Sequence, residues 1–570
     1  MLTTDELKRI QDIVGPQWVN AHPCMTDTYS IHRHSEWVTG GKSPWLPRAE
    51  AVVMPASALE IAAIIRLCNQ TRLMVKPIST GWGPQNAPTR EGVVLLDLKR
   101  MDKIIDIDVK NQVAVVEPYV KAIRLQAALW KEGLNVNVVS CGGNHSVLAS
   151  TTSGWGYGLS GPGLGYSGRN FLGAEWVSPT GEILTLGSAG NGAGWFSAEG
   201  PGPSMRGIVR GQWGAFGSLG VFTKAAAKLY KWDGPAQPEI EGANPHYYLK
   251  NPLPENIGFF VLSVQNEQGL ADLGYKLGEA EIQFCDFRLP AFHQALVAAG
   301  NNWGDVEEIW NTGFFQKMSK YAMVLGVMGH SQREYDWKVS AIHEILKEVK
   351  GVSLPIGQKL SLEKLRSLQP LIKHIDNPLK IASLLQGLLG KVSGPAEDKL
   401  KTISELYHLL VRHATNTQSA FPLPNSFFTL LGSFDTWDKG ITESRWAVEG
   451  KGKYIENGGL VNDGGDAGVG GTYENGHMGY FEPLGLYTTN SRKSAKAFVD
   501  LGRDSIKASI DRNFGISFHG YGTRMNNAYG PHCGNFHEWM IKIKKTLDPK
   551  TASDPYLYHD PDSQDSALGH

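Results

Sequence analysis

The sequence predicts an α+β protein of at least two lobes, and three observations carry that expectation. Short apolar strands alternate with helices up to Glu132, a Pro/Asn/Glu-rich stretch between Pro235 and Pro254 reads as a domain junction, and strand-helix units recur beyond it. At 570 residues the chain is also longer than one compact core normally holds.

The first unit opens with the strand Ala51-Val52-Val53-Met54, stopped by Pro55. Ser57 and Glu60 then predict a capping box, and Ile61, Ile64, Ile65 and Cys68 recur at helical spacing. Strands follow at Leu73–Ile78, Val93–Asp97 and Gln112–Glu117, then a helix from Ala122 to Glu132. From Ser140 to Gly220 the composition turns to Gly, Ser, Thr and Trp, which suits tight turns and close approach of backbone to a ligand. The later units pair a strand at Ile257–Leu262 with a helix at Gly269–Ala280, and one at Tyr321–Met328 with a helix that carries Trp337, Ile342, Ile345, Leu346 and Val349 on one face. Phe427–Leu431 leads to a helix from about Glu443 to Asn457, and Gly479–Tyr487 to one from about Ser491 to Asn513. Four such units predict one antiparallel sheet with helices on one face. Ser361–Arg412 reads as a helical insertion with loop breaks.

Charge and composition exclude several function classes. With 55 Lys+Arg against 56 Asp+Glu there is no global field to draw in nucleic acid or an anionic membrane. Five cysteines without a CxxC pair argue against a disulfide framework or thiolate zinc site and favour a reducing compartment. The charged N-terminal stretch is no signal peptide and no run is long and apolar enough to span a bilayer, so the expected address is cytoplasmic. Ile31-His32-Arg33-His34 has no further ligand at helical spacing and is read as a solvated or substrate-facing loop, with no metal site expected.

The run Pro77-Ile78-Ser79-Thr80-Gly81-Trp82-Gly83-Pro84-Gln85-Asn86, followed by Val94–Ile104, resembles the FAD-binding domain shared by vanillyl-alcohol oxidase and p-cresol methylhydroxylase. Gly154–Gly158, Ala174–Leu184, Gly214–Lys224 and the closing Tyr529-Gly530-Pro531-His532 with Ile543-Lys544 and Leu547-Asp548-Pro549 agree in order. The resemblance implies an α+β fold with a two-lobed, PCMH-type FAD-binding domain, split in sequence, and an inserted α/β cap domain built on an antiparallel sheet. The expected boundaries are 1–44 for an N-terminal arm, 45–240 for the FAD-binding domain, 241–514 for the cap with its helical insertion at 361–412, and 515–570 for a returning C-terminal segment.

FAD is then the expected cofactor. Residues Pro77 to Gln85 follow a strand, so successive N–H groups can turn toward one diphosphate without a lysine. By resemblance Ser146, Thr151, Thr152, Gly156 and Gly158 line the other side of the cofactor, and Gly220 and Val221 offer it backbone; ordinary turn capping is the competing role for the hydroxyls. A covalent bond to the flavin is left open, with His477 the remaining candidate, because Trp82 stands where one branch of the family has its linking His.

Substrate in this family lies between the flavin and the cap sheet, which directs attention to Tyr473, Glu474, His477, Tyr480 and Glu482 and to the segment before the closing helix. If 518–523 is a strand, His519 and Tyr521 share a face, His519 suiting a proton acceptor and Tyr521 a hydrogen bond to a substrate oxygen. Arg524 suits an anion or a negatively charged flavin, and Glu474 is a further catalytic candidate. Two departures from the family bear on substrate. Phe518-His519 stands where phenol-oxidising members carry Tyr-Arg, and Gly158–Asn170 lacks the carboxylate they tend to place there.

The expected activity is oxidation of a C–H bond adjacent to oxygen or an aromatic ring by hydride transfer to the flavin. The alternatives are a 2-hydroxy-acid dehydrogenase, and a non-redox flavin transferase resembling alkylglycerone-phosphate synthase. The expected partners are a small-molecule substrate and an electron acceptor that is oxygen, a cytochrome or another carrier, with no nucleic acid, no membrane span, and a homo-oligomer left open.

Overall fold

The structure is a computed structural model that describes the chain apart from residues 1, 31–38, 40–41, 44, 82–85, 138–142, 154–157, 159, 188–193, 196–204, 210–213, 238–239, 244–245, 250–253, 289, 293–309, 312, 314–315, 317–320, 356–426, 430–431, 466, 489–490, 517–521, 567 and 569–570. The helical insertion expected at 361–412 and the stretch His32-Arg33-His34 lie outside the described residues.

The first sheet is built from the strands read from the sequence. Ala51–Val53 and Met74–Ile78 both run parallel to Val93–Asp97, and Val19–Asn20 adds an antiparallel edge. Parallel strands need a crossover, and the helix Ala58–Cys68 supplies the one from Ala51–Val53 to Met74–Ile78, with Val93–Asp97 between them in the sheet. Its Ile61, Ile64, Ile65 and Cys68 are all buried against Val75, Val94 and Leu96. Only half of the expected capping box forms: Ser57 Oγ accepts from Glu60 N at 3.2 Å, but the Glu60 carboxylate accepts from Ala56 N at 2.7 Å instead of from Ser57 N.

The second sheet is antiparallel and its long central strand, Val221–Lys231, pairs with Val113–Val116 on one side and Phe171–Val177 on the other. Ile104–Asp108 and Ile183–Leu186 form the outer strands, and Leu134–Val136 pairs with the far end of the central one. Trp176, Phe171 and Ala225 sit in its buried core with helix residues Leu125 and Leu129.

After Lys231 the chain passes through a hairpin, Ile240–Ala243 with His246–Leu249, within the stretch read from sequence as a domain junction. The cap then builds its sheet in two pieces. Cys285–Phe287, Ala322–Met328, Ile257–Ser263 and Val352–Pro355 form one, and Ser433–Asp435, Met478–Glu482 and Val469–Tyr473 the other. A single antiparallel bridge, Arg288 to Gly470, joins them, so the one sheet expected from sequence is an arc with a seam. The helices Glu267–Glu279 and Gln332–Glu348 cover one face, together with the first turns of Trp437–Glu456. That third helix begins six residues before the expected Glu443, because Thr436 Oγ1 accepts from Lys439 N at 3.3 Å and caps it there.

The C-terminal segment returns to the first domain. Ser553 bridges Val75 as an added parallel strand, with Val75 N donating to Ala552 O at 2.8 Å and Asp554 N to Val75 O at 3.0 Å. Lys544, buried on the helix Phe536–Leu547, donates to Ser218 O at 2.6 Å and Ser553 O at 3.0 Å and pairs with Asp548. Asp548 also accepts from Ala552 N at 2.7 Å and Ser553 N at 3.0 Å. Breaking a buried pair from one side strands the other charge, so Asp548→Ala should lower stability by about 3–5 kcal/mol. Urea unfolding measures this; a loss under about 1 kcal/mol, typical of an exposed pair, would show that the pair does not hold the segment.

Candidate cofactor and active site

The turn after Met74–Ile78 lies at the carboxyl edge of the parallel sheet, where ligands of such sheets bind. Among the described residues the N–H groups of Ser79, Thr80 and Gly81 have no hydrogen-bond partner. Gly81 has φ +69°, and its carbonyl is held by Asn86 Nδ2 at 2.9 Å, so the turn is shaped from outside while its amides stay available. Trp82, Gly83, Pro84 and Gln85 lie outside the described residues, as does Gly156.

Two further glycine-rich segments close on this turn. A Cβ at Gly217 would sit 2.4 Å from Pro77 Cδ, and one at Gly214 would sit 2.4 Å from the Thr152 carbonyl oxygen. Both positions favour glycine, and the contacts bring Pro77, Thr152 and the 214–220 turn together.

Individual roles come out differently. Ser146 Oγ accepts from Ala149 N at 3.0 Å and donates to Pro118 O at 2.6 Å, which is helix capping. Thr151 and Thr152 donate back to their own helix, to Val147 O at 3.2 Å and Leu148 O at 2.8 Å. The Gly158 amide donates to Tyr473 Oη at 2.7 Å and that of Gly220 to Ser553 Oγ at 3.1 Å, while Val221 pairs with Val177. The hydroxyls of Ser150 and Ser218, by contrast, are buried and have no partner among the described residues. Sequence reasoning passed over both, since a serine inside a helix or a glycine-rich turn carries no signal of its own. Three free amides and two orphaned buried hydroxyls fit a polar, phosphate-bearing cofactor.

On the cap side, Tyr473 and Tyr480 face the first domain across a layer of aromatic rings. Phe434 lies 5.3 Å from Tyr166, 5.2 Å from Tyr473 and 5.3 Å from Tyr480, ring centre to ring centre. Phe259 and Phe287 of the cap and Tyr556 and Leu557 of the returning segment complete it. Glu474 sits at the hairpin turn after Tyr473 with φ +48°, a left-handed conformation rare outside glycine, and pairs with Arg169 of the first domain at 2.8 Å. His477 ends the same turn and is exposed.

His519 and Tyr521 lie outside the described residues. Thr523, which was expected to continue their strand, instead starts the helix Thr523–Tyr529 after Gly522 at φ +85°. Arg524 is therefore on that helix, half-buried, 3.9 Å from Asp565 and near enough to Tyr556 to draw its phenol down against the burial that pushes it up to about 12. Among the described residues no three His, Cys, Asp or Glu side chains gather for a metal, and no helix is long and apolar enough to cross a membrane.

Residues 49–187 match a family described as an FAD binding domain. Over its whole length the chain superposes on p-cresol methylhydroxylase with substrate bound, at a TM-score of 0.67 and 14% identity over 99% of both chains. The chain carries an FAD binding domain and has the fold of p-cresol methylhydroxylase. The 4-ethylphenol oxidase of Gulosibacter chungangensis gives a TM-score of 0.66 at 17% identity over 97% of both chains, and an alkyldihydroxyacetonephosphate synthase 0.56 at 14% over 97% of this chain and 85% of that one. In sequence the flavoprotein is 29% identical over 229 residues to an uncharacterized FAD-linked oxidoreductase of Mycobacterium tuberculosis, 39% of this chain and 45% of that one. It is 29% identical over 241 residues to the glycolate oxidase subunit GlcD of Bacillus subtilis, 40% of this chain and 45% of that one. These matches thus span under half the length of either curated relative.

FAD is the cofactor, and among the described residues near this turn the amides of Ser79, Thr80 and Gly81 and the buried hydroxyls of Ser150 and Ser218 have no other partner. A side chain at Gly81 forces a left-handed residue to carry a Cβ at a strain of about 1–2 kcal/mol. Gly81→Ala should therefore weaken FAD binding about tenfold or distort the turn outright. Titration of flavin fluorescence into the flavin-free protein measures it, and an unchanged affinity would move the diphosphate elsewhere.

Proposed function

We propose that this flavoprotein is an FAD-dependent oxidoreductase that takes hydride from a C–H bond beside oxygen or an aromatic ring. The observation that carries the reading is the cluster of Tyr166, Phe434, Tyr473 and Tyr480, aromatic rings packed edge-to-face or tilted at the junction of cap and FAD-binding domain, an apolar surround of the kind an aromatic substrate packs against. Bound FAD supplies the hydride acceptor. The chain has to orient the substrate, exclude water and take a proton where a hydroxyl is oxidised.

His519 is proposed for the proton and Tyr521 for a hydrogen bond to the substrate oxygen. Arg524, only loosely paired with Asp565, is proposed to hold a negative charge at the rim. Glu474 pairs one carboxylate oxygen with Arg169 while the other is buried without a partner among the described residues, so it is kept as a catalytic candidate that also holds the cap hairpin, and His477 stays a candidate for a link to the flavin. A second reading, oxidation of a 2-hydroxy acid whose carboxylate meets Arg524, is supported by the likeness to the glycolate oxidase subunit.

Under nitrogen, an aromatic alcohol should bleach the flavin absorbance, and bleaching by a 2-hydroxy acid alone would favour the second reading. A flavin adduct without bleaching by either would replace oxidation with group transfer. His519→Ala should slow reduction by about 10²–10⁴-fold in stopped flow while FAD stays bound. An unchanged rate removes His519 from the reaction.

A further inference from the structure

Lys76 stands in the middle of the strand Met74–Ile78 and is 2% exposed. Among the described residues its ammonium has neither a hydrogen bond nor an ion pair. Buried charges are ordinarily paired, and an unpaired one is kept where something absent from the bare chain neutralises it.

The pleat places Lys76 on the same face as Ile78, opposite Leu95 in the neighbouring strand. Ile78 reaches within 3.4 Å of where a Cβ of Gly81 would lie, so the turn with the free amides folds back over this face. The charged and titratable groups on the surrounding elements are engaged elsewhere. Asp554 on the returning segment accepts from Thr89 N at 2.9 Å and from its hydroxyl. Asp97 is held by Tyr29 Oη at 2.8 Å and Lys99 at 3.0 Å, and Arg90 pairs with Asp560 at 3.2 Å. Asp554 acts on Lys76 through space, but none of these groups forms a hydrogen bond or ion pair with it among the described residues.

We propose that Lys76 is the buried cationic contact of the FAD diphosphate, complementing the amides of Ser79, Thr80 and Gly81. The inference rests on the FAD site alone and is independent of the substrate proposed above. It assigns a charge-assisted contact to a strand residue beneath a turn that otherwise holds its anion with backbone alone.

A linkage follows. Burial pulls the Lys76 ammonium down to about 8 from the ordinary lysine range, with Asp554 opposing it. In the flavin-free protein Lys76 therefore loses its proton above that pH, whereas a bound diphosphate holds the proton on. Binding must then take up a proton, and affinity falls with rising pH by on the order of tenfold per unit.

The test titrates the whole flavin-free protein with FAD, ADP and riboflavin between pH 7 and 9.5. FAD and ADP should lose affinity above about pH 8, and riboflavin, which has no phosphate, should not. Lys76→Met should weaken FAD and ADP at least tenfold, flatten their pH profiles and raise the melting temperature of the flavin-free protein by removing an unpaired charge. Flat wild-type profiles for FAD and ADP overturn the proposal even if the variant fails to fold. So does a folded variant that binds both as the wild type does, or one that loses riboflavin equally. A wild-type protein that binds no FAD at any pH removes the cofactor site itself, a result distinct from tight binding with a flat profile.

Discussion

The buried pair of Lys544 and Asp548 is the contact on which the cofactor site depends. Lys544 reaches Ser218, which is 326 residues earlier in the chain, and Asp548 gathers the amides of Ala552 and Ser553 into a tight return. From that return Ser553 meets both Val75 and Gly220, and Asp554 clamps Thr89. One ion pair thereby ties the end of the chain to the strand before the phosphate turn, to the loop after it and to the glycine turn opposite. The whole cap lies between these partners in sequence, so the FAD-binding domain is complete only once its last segment has docked. Because loop-closure entropy grows only logarithmically with length, an insertion of that size adds little to the penalty, and a few buried, fully hydrogen-bonded contacts suffice to hold the return.

A second long-range tie sets the substrate side. The Gly158 amide donates to Tyr473, 315 residues away, and the ring of Tyr473 lies so close to Gly161 that a Cβ there would be 2.7 Å from it. Glycine at these positions serves the contact between domains, which a reading confined to cofactor binding does not foresee. Beside it, Glu474 and Asn475 both adopt left-handed backbone at the hairpin turn, and the Glu474–Arg169 pair holds the strained turn against the first domain. The hairpin that carries Tyr473 and Tyr480 is thus fixed from below, which is what an aromatic wall needs if it is to orient a planar substrate.

How much was legible follows from the range of each interaction. The strands at Ala51–Val53, Met74–Ile78 and Val93–Asp97 and the buried stripe of Ile61, Ile64 and Ile65 are local patterns, and the structure keeps them. The turn at Ser79–Gly81, whose amides have no partner among the described residues, follows directly on that strand and is local too. The hydroxyls of Ser146, Thr151 and Thr152 take the capping role weighed against the cofactor, since a helix N-cap and back-bonding to carbonyls three or four residues earlier satisfy such groups without any ligand. Ser150 and Ser218 were overlooked for the opposite reason: what distinguishes them is a missing partner, a property of the folded interior that no spacing encodes. The strand expected through Thr523 failed at a local signal, Gly522 at positive φ, where alternation was read across a helix start.

The strand Met74–Ile78 shows how these levels meet. Its Val75 side packs into the core beneath the helix Ala58–Cys68, and Pro77 on that side fills the space that Gly217 leaves. Its Lys76 side faces a mostly apolar layer of Val52, Ile78 and Leu95, where an ammonium is out of place in the bare chain. A fold optimised for its own stability would put an aliphatic residue there, as it does at the neighbouring Val75 and Leu95. The exception falls three residues before the first free amide of the turn, and that placement, more than the burial alone, ties the charge to the anion proposed to sit there.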